Sequence, residues 1–499
     1  MNEVEVHNSL LCFLRSHSLS PWPHHLTMGR LVARALRLER SALIQTGFFP
    51  SDRDRGYRVS YLMPLLMWPK PAILVTSASV QKYLLEVEIP RLQEWLETQK
   101  PIHIYPCAVD FEGLLFVESQ FWLKERLSGS NGLPSGVPTI IDDVDDWEKW
   151  TRDRLTTCLK PVDWHDLMVM FPDRSALIRD TRVQLTRAIF QHPPNPYQCC
   201  LLAALEQEIL HRIEQLFCTQ DIPSAWRNFW QQWQGEGQLK WAEISRSQGS
   251  FSLYCAPVDV AGVLGKIWLQ QPVVLIGGAL DLDVKAPIYR EGVGIPEITC
   301  VKFSRDRHNE LIQLYVPNRL PLPNTPQFQA AVIDEIRTLL NISKSVSGLA
   351  VLIIGDVPLK AQVGAILASE FGSRVQVEKS DLDRNGILVT GWEFWREYQG
   401  KLPNPYLLAI ATLPLPSLEN PLVAGRVAYY KEQRKDWFRL YLLPEALNQL
   451  QRAIATVRER QGVVALFDTR VLHRSYGNQI LAALSPLARI DYLDATWLT

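Results

Sequence analysis

The sequence predicts an α/β protein with two parallel-sheet lobes and a helical insertion in the first lobe. Short apolar runs alternate with longer helical patterns in residues 1–143, and the same alternation returns in residues 327–499. This order is typical of parallel strands covered by helices on both faces. Between them, residues 144–250 read as helix after helix, interrupted mainly by prolines at 193–196, and this change of period predicts the insertion.

Composition excludes several classes of protein. The 499 residues carry 52 Lys and Arg against 53 Asp and Glu, a net charge of −1, so a chain that grips nucleic acid by bulk charge is excluded. No apolar run approaches the roughly 18 residues that cross a bilayer. The eight cysteines are scattered without a CxxC pair, and the N-terminus lacks a secretory signal pattern, so we expect a cytoplasmic protein with no membrane partner.

The strands and helices can be placed in order. The first lobe has strands at SALIQTG, AILVTSA and PTIID, and helices at YLMPLLMW and from Val80 to Leu96. After the insertion, residues 251–310 return to the first lobe with SLYCA and PVVLIGG. A Pro-rich linker is predicted at 311–326. The second lobe follows with strands at LAVLIIG, RVQVE, GILVTG, LLAIATLP and GVVALFD, and helices between and after them.

Parallel sheets bind ligands at the carboxyl ends of their strands. In the first lobe these ends carry Gly47, Thr76, Asp142 and Asp143. Paired carboxylates there would suit Mg²⁺ held against phosphate oxygens. The alternative is that the acids of IIDDVDD only cap the next helix, where negative charge is favoured.

The second lobe resembles the DinG and XPD branch of the superfamily 2 DNA helicases. That family has phrases of the type FWEGxD, LPFxxPxxP, QGxGRxIR and GVVxxxD in this order, with R and YG after the last. The corresponding runs here are GWEFWREYQG, ATLPLPSLENPLVAGR, LLPEALNQLQRAIATVR, GVVALFDTR and RSYG. In the first lobe, MGRLVARAL, AILVTSASVQ, IIDDVDD and LIGGAL resemble the helix before motif I, motif Ia, the DEAH box and motif III.

The resemblance implies two RecA-like lobes, MgATP as cofactor and DNA, in single-stranded form, as partner. An insertion at this place helps such relatives to enclose the strand. Some of them carry an iron–sulfur cluster before the DEAH box; only Cys107 lies in that interval here, so no cluster is expected.

The residues at the motor positions depart from the family pattern. Gly56, Tyr57 and Arg58 stand where the resemblance places GKT, so a tyrosine replaces the lysine that neutralises phosphate. The preceding Gly47 would open the phosphate loop, whose residues 48–55 contain no glycine.

Motifs II and VI are also altered. Asp142, the metal-binding acid, is kept, but Asp143 replaces the catalytic Glu, and Asp145 the His of DEAH. Motif VI keeps Gln451 and Arg458. Ala455 occupies the position of the arginine finger, a residue commonly worth on the order of 10³-fold or more in rate.

The nucleic-acid side is better preserved. Residues 423–474 contain ten basic residues against five acids. Arg426 and Arg452 belong to this segment, Trp392 and Trp395 flank motif V and are candidates for stacking on bases, and Thr76 lies in motif Ia. The alternative is that this surface is ordinary solvated helix and the tryptophans are core.

A helical stripe in the insertion is expected to be a buried face rather than a stacking platform. Its members are Trp226, Phe229, Trp230 and Trp233.

Three functions remain open from the sequence. The first is a DNA-binding helicase homologue whose degenerate ATP site hydrolyses ATP weakly or not at all. The second is an active ATP-dependent DNA helicase in which Arg55 or Arg58 replaces the lysine and Asp143 the glutamate. The third is an adaptor that uses the helicase fold to contact protein partners.

Overall fold

The computed structural model describes residues 1–17, 22–47, 56–107, 109–130, 132–217, 219–305 and 310–490. It contains two seven-stranded sheets and one four-stranded sheet. All strand pairs of the two large sheets are parallel, and those of the small sheet are antiparallel. The predicted α/β class with two parallel-sheet lobes is confirmed.

The first lobe begins with twelve elements, in which a π-helical turn joins the fourth helix to the fifth. These elements are α1 (Glu3–His17), α2 (His25–Leu38), β1 (Ala42–Gln45), α3 (Arg58–Met67), β2 (Ala72–Thr76), α4 (Ala78–Tyr83), α5 (Ile89–Leu96), β3 (Ile102–Ile104), β4 (Leu114–Glu118), α6 (Ser119–Ser128), β5 (Thr139–Asp142) and α7 (Trp147–Leu155).

The insertion combines helices with the antiparallel sheet. Its elements are β6 (Thr157–Leu159), α8 (Pro161–Met170), α9 (Ser175–Gln191), β7 (Cys199–Leu201), α10 (Ala204–Phe217), α11 (Ser224–Trp233), β8 (Gln238–Ser245) and β9 (Ser250–Pro257). The first lobe resumes with α12 (Ala261–Trp268), β10 (Val273–Gly277), α13 (Pro287–Val293) and β11 (Thr299–Lys302).

The second lobe contains the remaining elements. They are β12 (Ile312–Tyr315), α14 (Phe328–Ile342), β13 (Leu349–Ile353), α15 (Val357–Phe371), β14 (Val375–Val377), β15 (Ile387–Thr390), α16 (Trp392–Tyr398), β16 (Pro405–Ile410), α17 (Pro421–Glu432), α18 (Leu443–Ala453), α19 (Ala455–Arg458), β17 (Val463–Leu466), α20 (Arg470–His473), α21 (Gly477–Ala483) and β18 (Leu487–Ile490).

Strand order places the motif residues together. The first sheet runs β11-β1-β10-β5-β2-β4-β3 and the second β14-β15-β13-β16-β17-β12-β18. In the first, Gln45 pairs with Gly277, and Ile276 pairs with Asp142. The carboxyl ends of β1, β10 and β5 are therefore neighbours at one edge of the sheet.

The insertion differs from the all-helical prediction. Two of its four strands are only three residues long, too short to show a period, and the β8–β9 hairpin crosses the predicted boundary at residue 250. The predicted aromatic stripe on α11 is confirmed as core, because all four side chains are buried with the surrounding helices.

The predicted linker at 311–326 also contains structure. Strand β12 pairs in parallel with β17 and β18, so residues 312–315 belong to the second sheet. The strand is difficult to predict from the sequence because it is only four residues long and is followed closely by the prolines that begin at Pro317. No helix among the described residues is long and apolar enough to cross a membrane.

Truncation of the insertion core should destabilise it selectively. Phe229 is fully buried, so Phe229→Ala should lower the opening free energy of the insertion by about 3–5 kcal/mol. Val169→Ala, at a position 66 % exposed on α8, should change it by less than about 0.5 kcal/mol. Hydrogen exchange of the insertion amides measures both values, and equal effects would contradict this core.

Candidate nucleotide site and inter-lobe cleft

A buried carboxylate occupies the centre of the candidate nucleotide site. Asp142, the last residue of β5, is 0 % exposed. Its Oδ1 accepts a hydrogen bond from the Tyr57 hydroxyl at 2.7 Å. Its Oδ2 accepts from the Tyr61 hydroxyl and from Arg58 Nε, each at 3.0 Å. Both oxygens are thus bonded to side chains of the protein itself.

The first turn of α3 supplies all three donors. Tyr57 immediately precedes the helix, Arg58 begins it, and Tyr61 follows at helical spacing, so the three side chains share the face that meets the end of β5. The resemblance expects a phosphate-binding lysine and a metal-binding hydroxyl on this turn. Here bulky side chains fill the space in front of the carboxylate.

The charges of this cluster compensate one another. A buried carboxylate is costly unless it is paired and hydrogen-bonded. Burial opposes the charge on Arg58, but Asp142 and the two tyrosines raise the pKa of its guanidinium above the ordinary value. Burial and Asp142 also raise the pKa of Tyr61, so its hydroxyl keeps its proton and remains a donor. A metal ion at Asp142 would have to displace these donors.

The other acids of motif II make different contacts. Asp145 accepts from the backbone N–H groups of Gly278 and Ala279, at 2.8 and 3.2 Å, which ties motif II to motif III. Asp146 precedes α7 without capping it through its side chain, and instead accepts from Arg452 Nη1 of the second lobe at 2.7 Å. Asp143 has a left-handed backbone with φ of 69° and is partly exposed. The alternative that all these acids merely cap the next helix is therefore wrong.

Arg458 of motif VI makes its hydrogen bonds to the protein backbone. Arg458 is buried and donates to the backbone carbonyls of Glu310, Leu484, Ser485 and Pro486. Burial, with the nearby charge of Arg305, lowers its pKa to about 9. These bonds hold the chain before β18 in place, so Arg458 is a structural residue in this conformation.

The two remaining motif VI positions lie at the lobe interface. Gln451 donates to the carbonyl of Ala483 at 3.1 Å. Ala455, at the position of the arginine finger, is buried against Ala279 of motif III. A methyl group therefore contacts the first lobe at the position that the resemblance assigns to the arginine finger.

The predicted phosphate loop is described only at its ends. Gly47 lines a cavity of about 430 Å³ between the lobes together with Gly278, Lys302, Arg305 and Gln451. At the other end, Gly56 lies beside His25. Residues 48–55, which include Arg55, lie outside the described residues.

Two of the predicted nucleic-acid residues are not available to a strand. Trp395 is 1 % exposed, and its Nε1 donates to the carbonyl of Ala453 at 3.1 Å, so it is core and cannot stack on a base. Its spacing on α16 directs it into the lobe. Arg452 is 9 % exposed and engaged with Asp146, because the cleft requires a partner for that acid.

The other three predicted residues lie at strand ends or in the cleft. Thr76 ends β2 and is buried, and its hydroxyl has no hydrogen-bond partner among the described residues. Trp392 and Arg426 are partly exposed and line a cavity of about 820 Å³ between the two lobes and the insertion. Arg426 lies over the ring of Tyr441 at 5.4 Å. This cavity is lined by eight carboxylates and five cations, so it is not a uniformly basic channel.

A basic turn borders this cavity through Gln433 and Lys435. The basic turn is residues 431–439, which run from the end of α17 into the helical turn before α18. Its cations Lys431, Arg434, Lys435 and Arg439 are exposed. Lys431 Nζ lies 5.4 Å from the ring centroid of Trp437. Trp437 was not among the residues predicted from the sequence, although the interleaving of basic and aromatic residues in KEQRKDWFR is a usable signal.

The described residues contain no group of three or more His, Cys, Asp or Glu side chains placed to hold a metal ion.

Comparisons with known proteins agree with the fold. The family model described as Helicase C-terminal domain matches residues 404–487. The ATP-dependent DNA helicase YoaA of Haemophilus influenzae is 25 % identical over 276 residues, which cover 52 % of this chain and 42 % of that protein. YoaA of Escherichia coli is 29 % identical over 108 residues, covering 21 % and 17 %. The match spans less than half the length of either relative.

Solved structures extend the likeness to the whole fold. A structure of XPD helicase covers 95 % of this chain and 100 % of its own, with a TM-score of 0.60 and 12 % identity. A structure of XPD in its apo form covers 93 % and 100 %, with a TM-score of 0.58 and 12 % identity. The fold is thus that of the XPD structures, and residues 404–487 match a helicase C-terminal domain. In sequence the chain is similar to the DinG-like helicases named above, and in fold to the XPD structures.

The Asp142 cluster should show strong energetic coupling. Arg58→Met and Asp142→Leu should each lower the free energy of unfolding by about 3–5 kcal/mol, since each leaves a buried charge unpaired. The double variant should lose less than the sum of the two. The surface pair Arg37–Glu3, at 2.7 Å against 3.0 Å for Arg58–Asp142 but partly exposed, is the matched control and should couple by about 0–1 kcal/mol. Urea unfolding measures both cycles, and equal coupling would contradict the buried pair.

Proposed function

We propose that this chain is a nucleic-acid-binding member of the DinG/XPD family that does not hydrolyse ATP. The observation that carries the proposal is the occupation of both Asp142 oxygens by Tyr57, Arg58 and Tyr61. A motor needs that carboxylate for Mg²⁺ and the adjacent turn for phosphate. Here the carboxylate and the turn neutralise each other.

The residues present do not fit MgATP, the cofactor that the family implies. Tyr57 carries no positive charge, and Arg58 Nε–H donates its hydrogen bond to Asp142. An arginine fork also does not occupy the space of a compact ammonium. Ala455 removes the charge that would stabilise a transition state. The site therefore lacks the groups that ATP hydrolysis requires.

The DNA-binding part of the proposal rests on the family and on the basic turn. Cations interleaved with an aromatic ring suit the backbone and bases of a single strand. Such contacts provide affinity with little sequence information. Trp392 and Arg426, in the cleft beside the turn, are the further residues we assign to this interface. Thr76, at the end of β2, is only 1 % exposed and is not assigned to it.

Restoring the lysine alone should not restore the motor. Tyr57→Lys should leave steady-state ATPase activity at background, because Arg58 still occupies Asp142 and Ala455 is unchanged. The wild type should show no heat on titration with a non-hydrolysable MgATP analogue. The triple variant Tyr57→Lys, Arg58→Thr, Ala455→Arg is the positive comparison. Micromolar analogue binding by the wild type, strengthened by DNA, would instead support an active helicase.

Removing charge from the basic turn should weaken binding to single-stranded DNA. The double variant Lys431→Gln, Arg434→Gln should reduce the slope of log Kd against log salt by about 0.7 for each phosphate that its side chains no longer neutralise. Arg384→Gln, at the opposite, amino end of the second sheet, removes an exposed charge as a control. Fluorescence anisotropy with a labelled oligonucleotide over a salt series gives the slopes. If the wild type does not bind DNA, the remaining hypothesis is an adaptor that uses the helicase fold to contact protein partners.

A further inference from the structure

The antiparallel sheet of the insertion has two apolar faces. Residues alternate along each strand between them. On β8, Ala242 and Ile244 join the cluster of buried side chains formed with the insertion helices, whereas Leu239 and Trp241 belong to a separate cluster. A sheet with two apolar faces must be covered on both.

The second lobe supplies the cover for the outer face. Leu422 and Tyr429 of α17 pack into the same cluster as Leu239, Trp241 and Val258 of the insertion. The insertion is thus not an appendage of the first lobe alone, since part of its apolar surface is buried by a helix of the second.

Close approach of α17 depends on a glycine. A Cβ atom on Gly425 would lie 2.4 Å from Leu239 Cδ1 and 3.2 Å from Leu201 Cδ2. The helix backbone therefore lies directly against side chains of β7 and β8. Glycine within a helix costs roughly 1 kcal/mol relative to alanine, so its presence on α17 suits this contact rather than helix formation.

The insertion is in turn fixed to the first lobe. It is connected to that lobe at both ends, through α7 and through α12. Arg152 of α7 donates to the carbonyl of Val258, just beyond β9, at 3.0 Å. Docking of α17 on the insertion sheet therefore ties the second lobe to the first.

Two ion pairs also connect the two lobes directly. Arg452 pairs with Asp146 at 2.7 Å and Lys435 with Glu291 at 2.8 Å, each pair spanning the cleft. The cavity of about 820 Å³ lies where the lobes and the insertion meet. The contacts at all three boundaries are made by protein side chains and backbone.

We propose that these contacts hold the two lobes in one arrangement without nucleotide, and that undocking of α17 from the insertion sheet is the step that opens the cleft. The insertion acts as a strap between the lobes. This device does not require the chain to bind DNA, and it would operate whether or not nucleotide binds elsewhere.

Hydrogen exchange of the full chain tests the strap. In the wild type, protection of residues 238–245 and 421–432 should be the same with and without a non-hydrolysable MgATP analogue. Gly425→Leu should lower protection of both segments at least about tenfold, which corresponds to about 1.4 kcal/mol. It should also increase the radius of gyration in small-angle scattering. Leucine favours helix more than glycine, so loss of protection would report undocking and not helix fraying.

Gly262→Leu is the matched control, because Gly262 lies in α12 with open space around its Cβ position. It should leave both segments unchanged. If Gly425→Leu does not fold, Tyr429→Ser removes apolar contact at the same interface and should produce the same loss. Unchanged protection in folded α17 variants, or a change in the wild type on adding the analogue, would overturn the proposal. Analogue binding measured separately by calorimetry would instead bear on the inactive-site proposal.

Discussion

The arrangement of the first lobe depends on the neutralisation of one buried charge. Asp142 ends a central strand of a seven-stranded sheet and is inaccessible to water, so its charge has to be balanced from within the protein. The first turn of α3 provides a guanidinium and two hydroxyls for this purpose. A site that has to stay open for nucleotide cannot also satisfy its acid internally. In this chain, the protein's own side chains satisfy Asp142.

At the lobe interface, too, residues at motif positions contact other parts of the protein. The position that the resemblance assigns to the arginine finger holds Ala455, which packs on Ala279. Beside it, Arg452 satisfies Asp146 across the cleft. The insertion adds an apolar contact through α17. This last contact buries apolar surface, whereas the Lys435–Glu291 pair is exposed, so we expect it to contribute more to holding the lobes together.

The sequence was sufficient for the fold, whereas the substitutions at the motor positions stay predictions that rest on the resemblance. Alternating strand and helix patterns predict both parallel sheets, and the order of motifs in the second lobe predicts the family. Tyr57 and Ala455 were identified by their positions in those motifs. What the sequence could not show is pairing at long range: Arg58 and Asp142 are 84 residues apart, and Arg452 and Asp146 are 306 apart. Short strands such as β6 and β7 fail for another reason, since three residues do not establish a period.

Charge shows the same limit of prediction from sequence. It also reduces the number of residues available to a candidate nucleic-acid interface. The segment 423–474 has a basic excess in the sequence, but several of its cations are used inside the protein. Arg458 donates to four carbonyls, Arg470 pairs with Asp468, and Arg452 pairs with Asp146. Counting charges along a chain therefore overstates the field at its surface. Since the cavity itself is lined by more carboxylates than cations, electrostatic attraction for a phosphate backbone is concentrated on the basic turn that borders it. If the proposed strap holds, a strand bound there would meet a cleft whose opening depends on undocking of α17 from the insertion sheet.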